Sequence, residues 1–134
     1  SSNFCGHARQ SPTIVNLYAY TAMPTIAPGV DFTAVAREWR CKWSGDGDKA
    51  SLVALQATLE KYLDTLKGVD GCQGVQRIVC GGCLDFKIIT SVAAENFGDW
   101  EAKQFAPEEE ALKAMGEIAG VSCVETQTYT LASM

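Results

Sequence analysis

The stretch GVQRIVCGGCLDFKIITSV, residues 74–92, holds two strand-like runs on either side of Gly81-Gly82. Gly-Gly readily takes the positive φ values of a two-residue hairpin turn, so an antiparallel pair of strands is expected here. Counting outward from that turn opposes Val79 to Leu84, Arg77 to Phe86 and Val75 to Ile88 on one face, with Ile78 opposite Asp85 and Gln76 opposite Lys87 on the other. The first face is apolar except for Arg77 and must be covered by helices. The second is mixed and suits wetter surroundings than a core.

The neighbouring segments supply the cover. KASLVALQATLEKYLDTLKG places Leu52, Leu55, Leu59, Tyr62, Leu63 and Leu66 on one side of a helix closed by Gly68. After AAENFGDWEAKQFA, where Trp100 and Phe105 suit a helical turn, Pro107 and three glutamates mark a second helix start. Leu112, Met115 and Ile118 face inward from that helix, Gly120 ends it, and VSCVETQTYTL has the β-branched content of a last strand. Upstream, TIVNLYAYTAM alternates as a first strand from Thr13, and DFTAVAREWRCKW spaces Phe32, Val35, Ala36, Trp39 and Trp43 as a short amphipathic helix behind an Asp31 N-cap. The order gives an α+β, ferredoxin-like split βαβ fold with a four-stranded antiparallel sheet. Residues 1–12 read as a flexible leader and residues 13–134 as a single domain.

At 134 residues the chain can bury a core without staples. No apolar run approaches the ~20 residues of a membrane span, so no membrane partner is expected. A net charge of −5, with acids gathered in APEEEALKAMGE, argues against nucleic acid, which calls for clustered Lys or Arg. Six cysteines, three of them in apolar segments, suit free thiols in a reducing, cytoplasmic setting.

The CGGC sequence is compatible with several chemistries. A redox CxxC of the thioredoxin kind sits at a helix N-terminus, where the dipole stabilises a thiolate; here a strand follows. A zinc knuckle needs two more ligands, and there is no second CxxC; Cys5 and His7 are the closely spaced candidates, so no metal is expected. Residues flanking a two-residue turn have Cα atoms about 5.5 Å apart, which permits a disulfide or neighbouring thiols. Neighbouring thiols are the expectation. DGDK, residues 46–49, lacks the further ligands of a calcium loop. The glutamate run reads as a complement to the helix dipole, Trp39 and Trp43 as core or interface anchors, and Arg77 opposite Phe86 as a cation–π contact.

The element order, with GVDGCQGVQRI closing the first helix, LDFKIITSV, a Trp-containing second helix and GVSCVETQTYTL at the end, resembles the dimeric α/β-barrel superfamily over residues 13–132. That superfamily includes the stress-responsive barrel proteins, the antibiotic-biosynthesis-monooxygenase-like proteins and the ligand-binding domain of Lrp/AsnC regulators. The resemblance implies two four-stranded sheets paired across a twofold axis, enclosing space for a small, partly apolar or aromatic molecule. Twelve residues before the first strand are too few for a helix-turn-helix, and no cofactor-binding Gly-rich loop is present, so no cofactor is expected. The single histidine, His7, lies in the leader, which leaves no catalytic histidine on a strand or helix.

Alternation places Asn16, Tyr18 and Tyr20, Asp85 and Lys87, and Gln127 and Tyr129 on the mixed face, where they are the candidate ligand-binding residues. That face also carries Ile78 and Ile89, and burying it against a second copy makes a homodimer the expected partner. Three functions fit: a homodimeric small-molecule-binding barrel; a cofactor-independent enzyme of monooxygenase or cyclase type, with Tyr18 or Tyr20 near Lys87 as its acid/base pair; or a thiol- or zinc-dependent protein using the CGGC turn.

Overall fold

A computed structural model describes residues 24–134. A small hairpin, β1 (Thr25–Ala27) and β2 (Val30–Asp31), precedes β3 (Ala34–Lys42), α1 (Asp46–Lys67), β4 (Cys72–Val79), β5 (Asp85–Ala93), α2 (Ala94–Ala102), α3 (Glu108–Gly116) and β6 (Ser122–Leu131). The main sheet runs β4-β5-β3-β6 with every neighbouring pair antiparallel. This is the split βαβ, ferredoxin-like arrangement, with β3 and β5 in the centre.

Among the described residues the four-stranded sheet opens with β3. TIVNLYAYTAM lies outside the described residues, and the stretch expected as a helix from Asp31 is mostly β3, with Asp31 itself in β2. The spacing of Val35, Trp39 and Trp43 satisfies both periods. The strand period wins because Val35, Trp39, Cys41 and Trp43 all enter the core, while Glu38, Arg40 and Lys42 alternate onto the opposite face.

The core lies between sheet and helices. Leu55, Leu59, Tyr62 and Leu66 of α1 meet Phe86, Ile88 and Val92 of β5, while Phe97, Trp100 and Met115 close the other end. Leu52, Leu63, Leu112 and Ile118 pack at its margin. Trp39 and Trp43 are buried core residues, as their type suggested. Gly71, at the α1–β4 junction, has φ +79°, and a Cβ there would sit 2.5 Å from the Asn96 side chain, so both conformation and space demand glycine.

The β4–β5 hairpin is present, but its register differs. Val79 opposes Phe86, Arg77 opposes Ile88 and Ile78 opposes Lys87, two residues on from a two-residue turn. The connection runs from Cys80 to Leu84, and Leu84 absorbs the reversal with φ 63°. A slip of two keeps each side chain on its expected face, so Phe86 and Ile88 still point to the helices. Arg77 donates to Gln56 of α1 at 2.7 Å rather than stacking on Phe86; the arginine that stacks on a ring is Arg37, 4.1 Å from the centroid of Phe105.

Candidate functional site

Alternation along β3 sends Glu38, Arg40 and Lys42 to the sheet face away from the helices, and each meets a partner from a flanking strand. Lys42 opposes Asp85 in register and lies 2.6 Å from its Oδ1. Arg40 opposes Glu125 and donates from Nε to its Oε1 at 3.1 Å. The same guanidinium is 3.4 Å from Oε2 of Glu38, so Arg40 is seated between two carboxylates. Tyr129 completes the cluster by donating to Glu38 Oε1 at 2.8 Å. Glu38 is 3% exposed and Glu125 7%, so these are enclosed charges, which persist only when paired and hydrogen-bonded.

The electrostatics follow from these contacts. The Lys42 hydrogen bond, aided by the positive charge of Lys42, Lys87 and Arg40, holds the Asp85 carboxyl below its usual range. Burial, then the hydrogen bond and charge of Glu38, push the Tyr129 phenol well above its usual range, so it acts as a proton-bearing donor at neutral pH. Burial, with a smaller effect from Asp85, pushes the Cys41 thiol up to about 12. A cleft of about 280 Å³ opens over this face between Arg40, Lys42, Asp85, Lys87 and Glu125.

Of the expected ligand-binding residues, Asn16, Tyr18 and Tyr20 lie outside the described residues. Asp85 and Lys87 lie on β5 and border the cleft, while Gln127 and Tyr129 lie on β6. Strand β3 separates the two pairs, and its own residues, absent from the expectation, bridge them. Glu38, Arg40 and Lys42 were missed because their segment reads as a helix. Glu125 had a legible signal: it shares the alternation that singled out Gln127 and Tyr129.

A second polar network faces the helices. Glu108, the first residue of α3, accepts from Arg37 Nε at 2.7 Å and Nη2 at 2.9 Å and from Trp39 Nε1 at 2.9 Å. Arg37 Nη1 donates to Thr128 Oγ1 at 2.9 Å, and Tyr62 donates to Glu110 at 3.3 Å. The glutamate run is therefore more than a dipole complement: two of its members tie α3 to β3, β6 and α1. The network spends its polar atoms internally, which marks it as structural.

The CGGC turn closes as a disulfide. Cys80 and Cys83 are bonded with Cα atoms 5.6 Å apart, where neighbouring thiols were expected. Bonded sulfurs offer no thiolate to zinc. Among the described residues no group of three or more His, Cys, Asp or Glu side chains could hold a metal ion.

No protein-family model and no curated protein sequence matches the chain. Solved structures do. A Deinococcus radiodurans protein provisionally assigned as an antibiotic biosynthesis monooxygenase superposes with a TM-score of 0.56 at 16% identity, over 75% of this chain and 94% of that one. A Caulobacter crescentus protein with the same provisional assignment gives 0.55 at 13% identity, over 76% and 92%. A Mycobacterium tuberculosis protein gives 0.50 at 15% identity, over 76% and 96%. The chain has the ferredoxin-like fold of the antibiotic-biosynthesis-monooxygenase-like proteins. Identities this low establish the fold and leave the activity to be argued from the site.

Proposed function

We propose that this chain is one subunit of a homodimeric α/β barrel that binds a small, partly apolar or aromatic molecule against the sheet face of Glu38, Arg40 and Tyr129. Asp85, Lys87 and Gln127, with Asn16, Tyr18 and Tyr20, complete the ligand-binding set in this reading. One observation carries it: a glutamate at 3% exposure on the side of the sheet away from the helices, held by a phenol and a guanidinium. Fixed polar groups that converge on one cleft are what orient a small ligand, and enclosed charges are costly to keep unless they are paired. On the side of the sheet away from the helices Ile89 is already buried while Ile78 is exposed and Tyr129 half-buried, and pairing with a second copy through this face would cover what is left.

No helix of the described residues is long and apolar enough to cross a membrane. A cytoplasmic location rests on the free thiols of Cys41 and Cys72, and the Cys80–Cys83 bond pulls against it.

Native mass spectrometry of gently purified protein tests the proposal. The expected result is twice the 14.4 kDa chain mass plus a bound small molecule, lost on Tyr129→Phe. A bare monomer at micromolar concentration removes both barrel and pocket. The fold likeness favours one further reading, a cofactor-independent oxygenase, in which Tyr129 would serve as donor to a developing oxyanion. Oxygen uptake with the co-purified molecule separates enzyme from binder.

A further inference from the structure

The exposed turn between β4 and β5 carries a feature that the barrel reading does not use, the Cys80–Cys83 bond, and it adjoins Lys42, which shares the cleft with Lys87. We propose that this bond is a thiol–disulfide exchange site for a small anionic thiol, which approaches over Lys42 and Lys87.

Access comes first. Cys83 is exposed and Cys80 half-buried, and Cβ atoms added at Gly81 or Gly82 would meet nothing within 4 Å, so the turn is open to a co-reactant. Polarity comes second. The backbone N–H of Cys83 points to Cys80 Sγ at 3.1 Å and stabilises negative charge there, which makes Cys80 the better leaving group and Cys83 the sulfur attacked. Cys83 Sγ lies 3.2 Å from Asp85 Oδ2, a carboxylate that can accept a hydrogen bond only after Cys83 becomes a thiol. That contact gains a hydrogen bond in the dithiol and so favours reduction. Lys42 tempers the carboxylate's repulsion of an incoming thiolate: its ammonium pairs with Asp85 and donates to the Cys83 carbonyl at 2.9 Å. Lys87 makes no hydrogen bond or ion pair among the described residues, which leaves its charge to attract an anionic thiol into the cleft that Lys42 and Asp85 share with it.

The exchange balances as follows. A thiolate RS⁻ attacks Cys83 Sγ; an RS–Sγ bond forms, the Cys80–Cys83 bond breaks, and its electron pair leaves on Cys80. A second RS⁻ attacks the RS sulfur of the mixed disulfide and releases RSSR and the Cys83 thiolate, which takes a proton from water and donates it towards Asp85. Two thiols are oxidised, and one protein disulfide is reduced by two electrons.

The test uses the full chain and reduced glutathione as the probe, with acid quenching, alkylation and peptide mapping so that Cys80 and Cys83 are followed apart from Cys123, which is also disulfide-bonded. The native protein should be reduced at Cys80–Cys83 by glutathione and reclosed by glutathione disulfide without unfolding. At low ionic strength Lys87→Gln should slow reduction by glutathione about threefold and reduction by cysteamine, whose ammonium offsets its thiolate, scarcely at all. In the unaltered protein, added salt should slow glutathione more than cysteamine, which reads the same attraction without a substitution. Reduction only after denaturation, or equal salt and Lys87 effects on both thiols, overturns the proposal.

Discussion

Tyr129 donates a hydrogen bond to Glu38 Oε1 at 2.8 Å, although Gln127, and not Tyr129, is the residue directly opposite Glu38 in the β3–β6 register. The phenol thus reaches diagonally along the sheet. Tyr129→Phe keeps the ring and removes the donor, leaving a carboxylate oxygen at a site only 3% exposed without that partner. A loss of about 1–3 kcal/mol is expected. Urea unfolding should show a lower midpoint with an unchanged slope, and an unchanged midpoint would mean that solvent takes the donor's place.

How much of this was legible in the sequence can be argued from particular residues. The α1 stripe, the β4–β5 hairpin and the final strand declare themselves because each has one buried face and a single dominant period. The central strand did not. Its flanks, β5 and β6, pair with both of its edges, and both faces are enclosed at its start, where Ala34, Val35 and Ala36 are all buried, so the alternation that marks a half-exposed strand is lost there. Arg37 hides the pattern further: a charge on the inward face looks like a break in it until Glu108, 71 residues away, is seen to take two of its three guanidinium nitrogens. Expecting a helix at 31–43 then left Glu38, Arg40 and Lys42 out of the candidate set, while Asp85, Lys87 and Tyr129, on segments read as strands, entered it.

The Arg37–Glu108 pair supplies the second prediction. Both side chains are 14% exposed, and the carboxylate is shared with Trp39. Removing one partner strands the other in a poorly solvated place, so Glu108→Ala should cost about 3–5 kcal/mol. Arg37→Met together with Glu108→Leu should recover much of that loss, because two apolar groups leave no charge unpaired. Thermal unfolding of Arg37→Met, Glu108→Leu and the double variant checks it; additive single-site losses would contradict the coupling.

Alkaline pH gives the third. Cys41 is free and buried, with its thiol raised from 9.0 to about 12, and Tyr129 is raised above 10.0. Between the unfolded and folded pKa values the native state holds a proton that the unfolded state has lost. Stability from these two groups is therefore complete below about pH 9 and falls as pH rises towards 12. Denaturant midpoints measured from pH 7 to 11 should decline, less steeply in Cys41→Ala after allowance for its lower starting stability. Native protein at pH 8 should leave Cys41 unmodified by a thiol reagent that labels it in urea.

The last prediction concerns what the CGGC bond does for folding. It spans a sequence separation of 3, so it restricts a very short loop, and the chain-entropy argument assigns it only about 2 kcal/mol. The turn has other support: Cys80 N–H donates to the Asp85 carbonyl at 3.0 Å, and Lys42 holds the Cys83 carbonyl from β3. These bonds need no sulfur. Cys80→Ser with Cys83→Ser should therefore leave a cooperative, folded protein with a modest fall in Tm, and circular dichroism should show the same helix and sheet content. Loss of the fold in the double variant would show that the disulfide, rather than the β4–β5 ladder, fixes the hairpin.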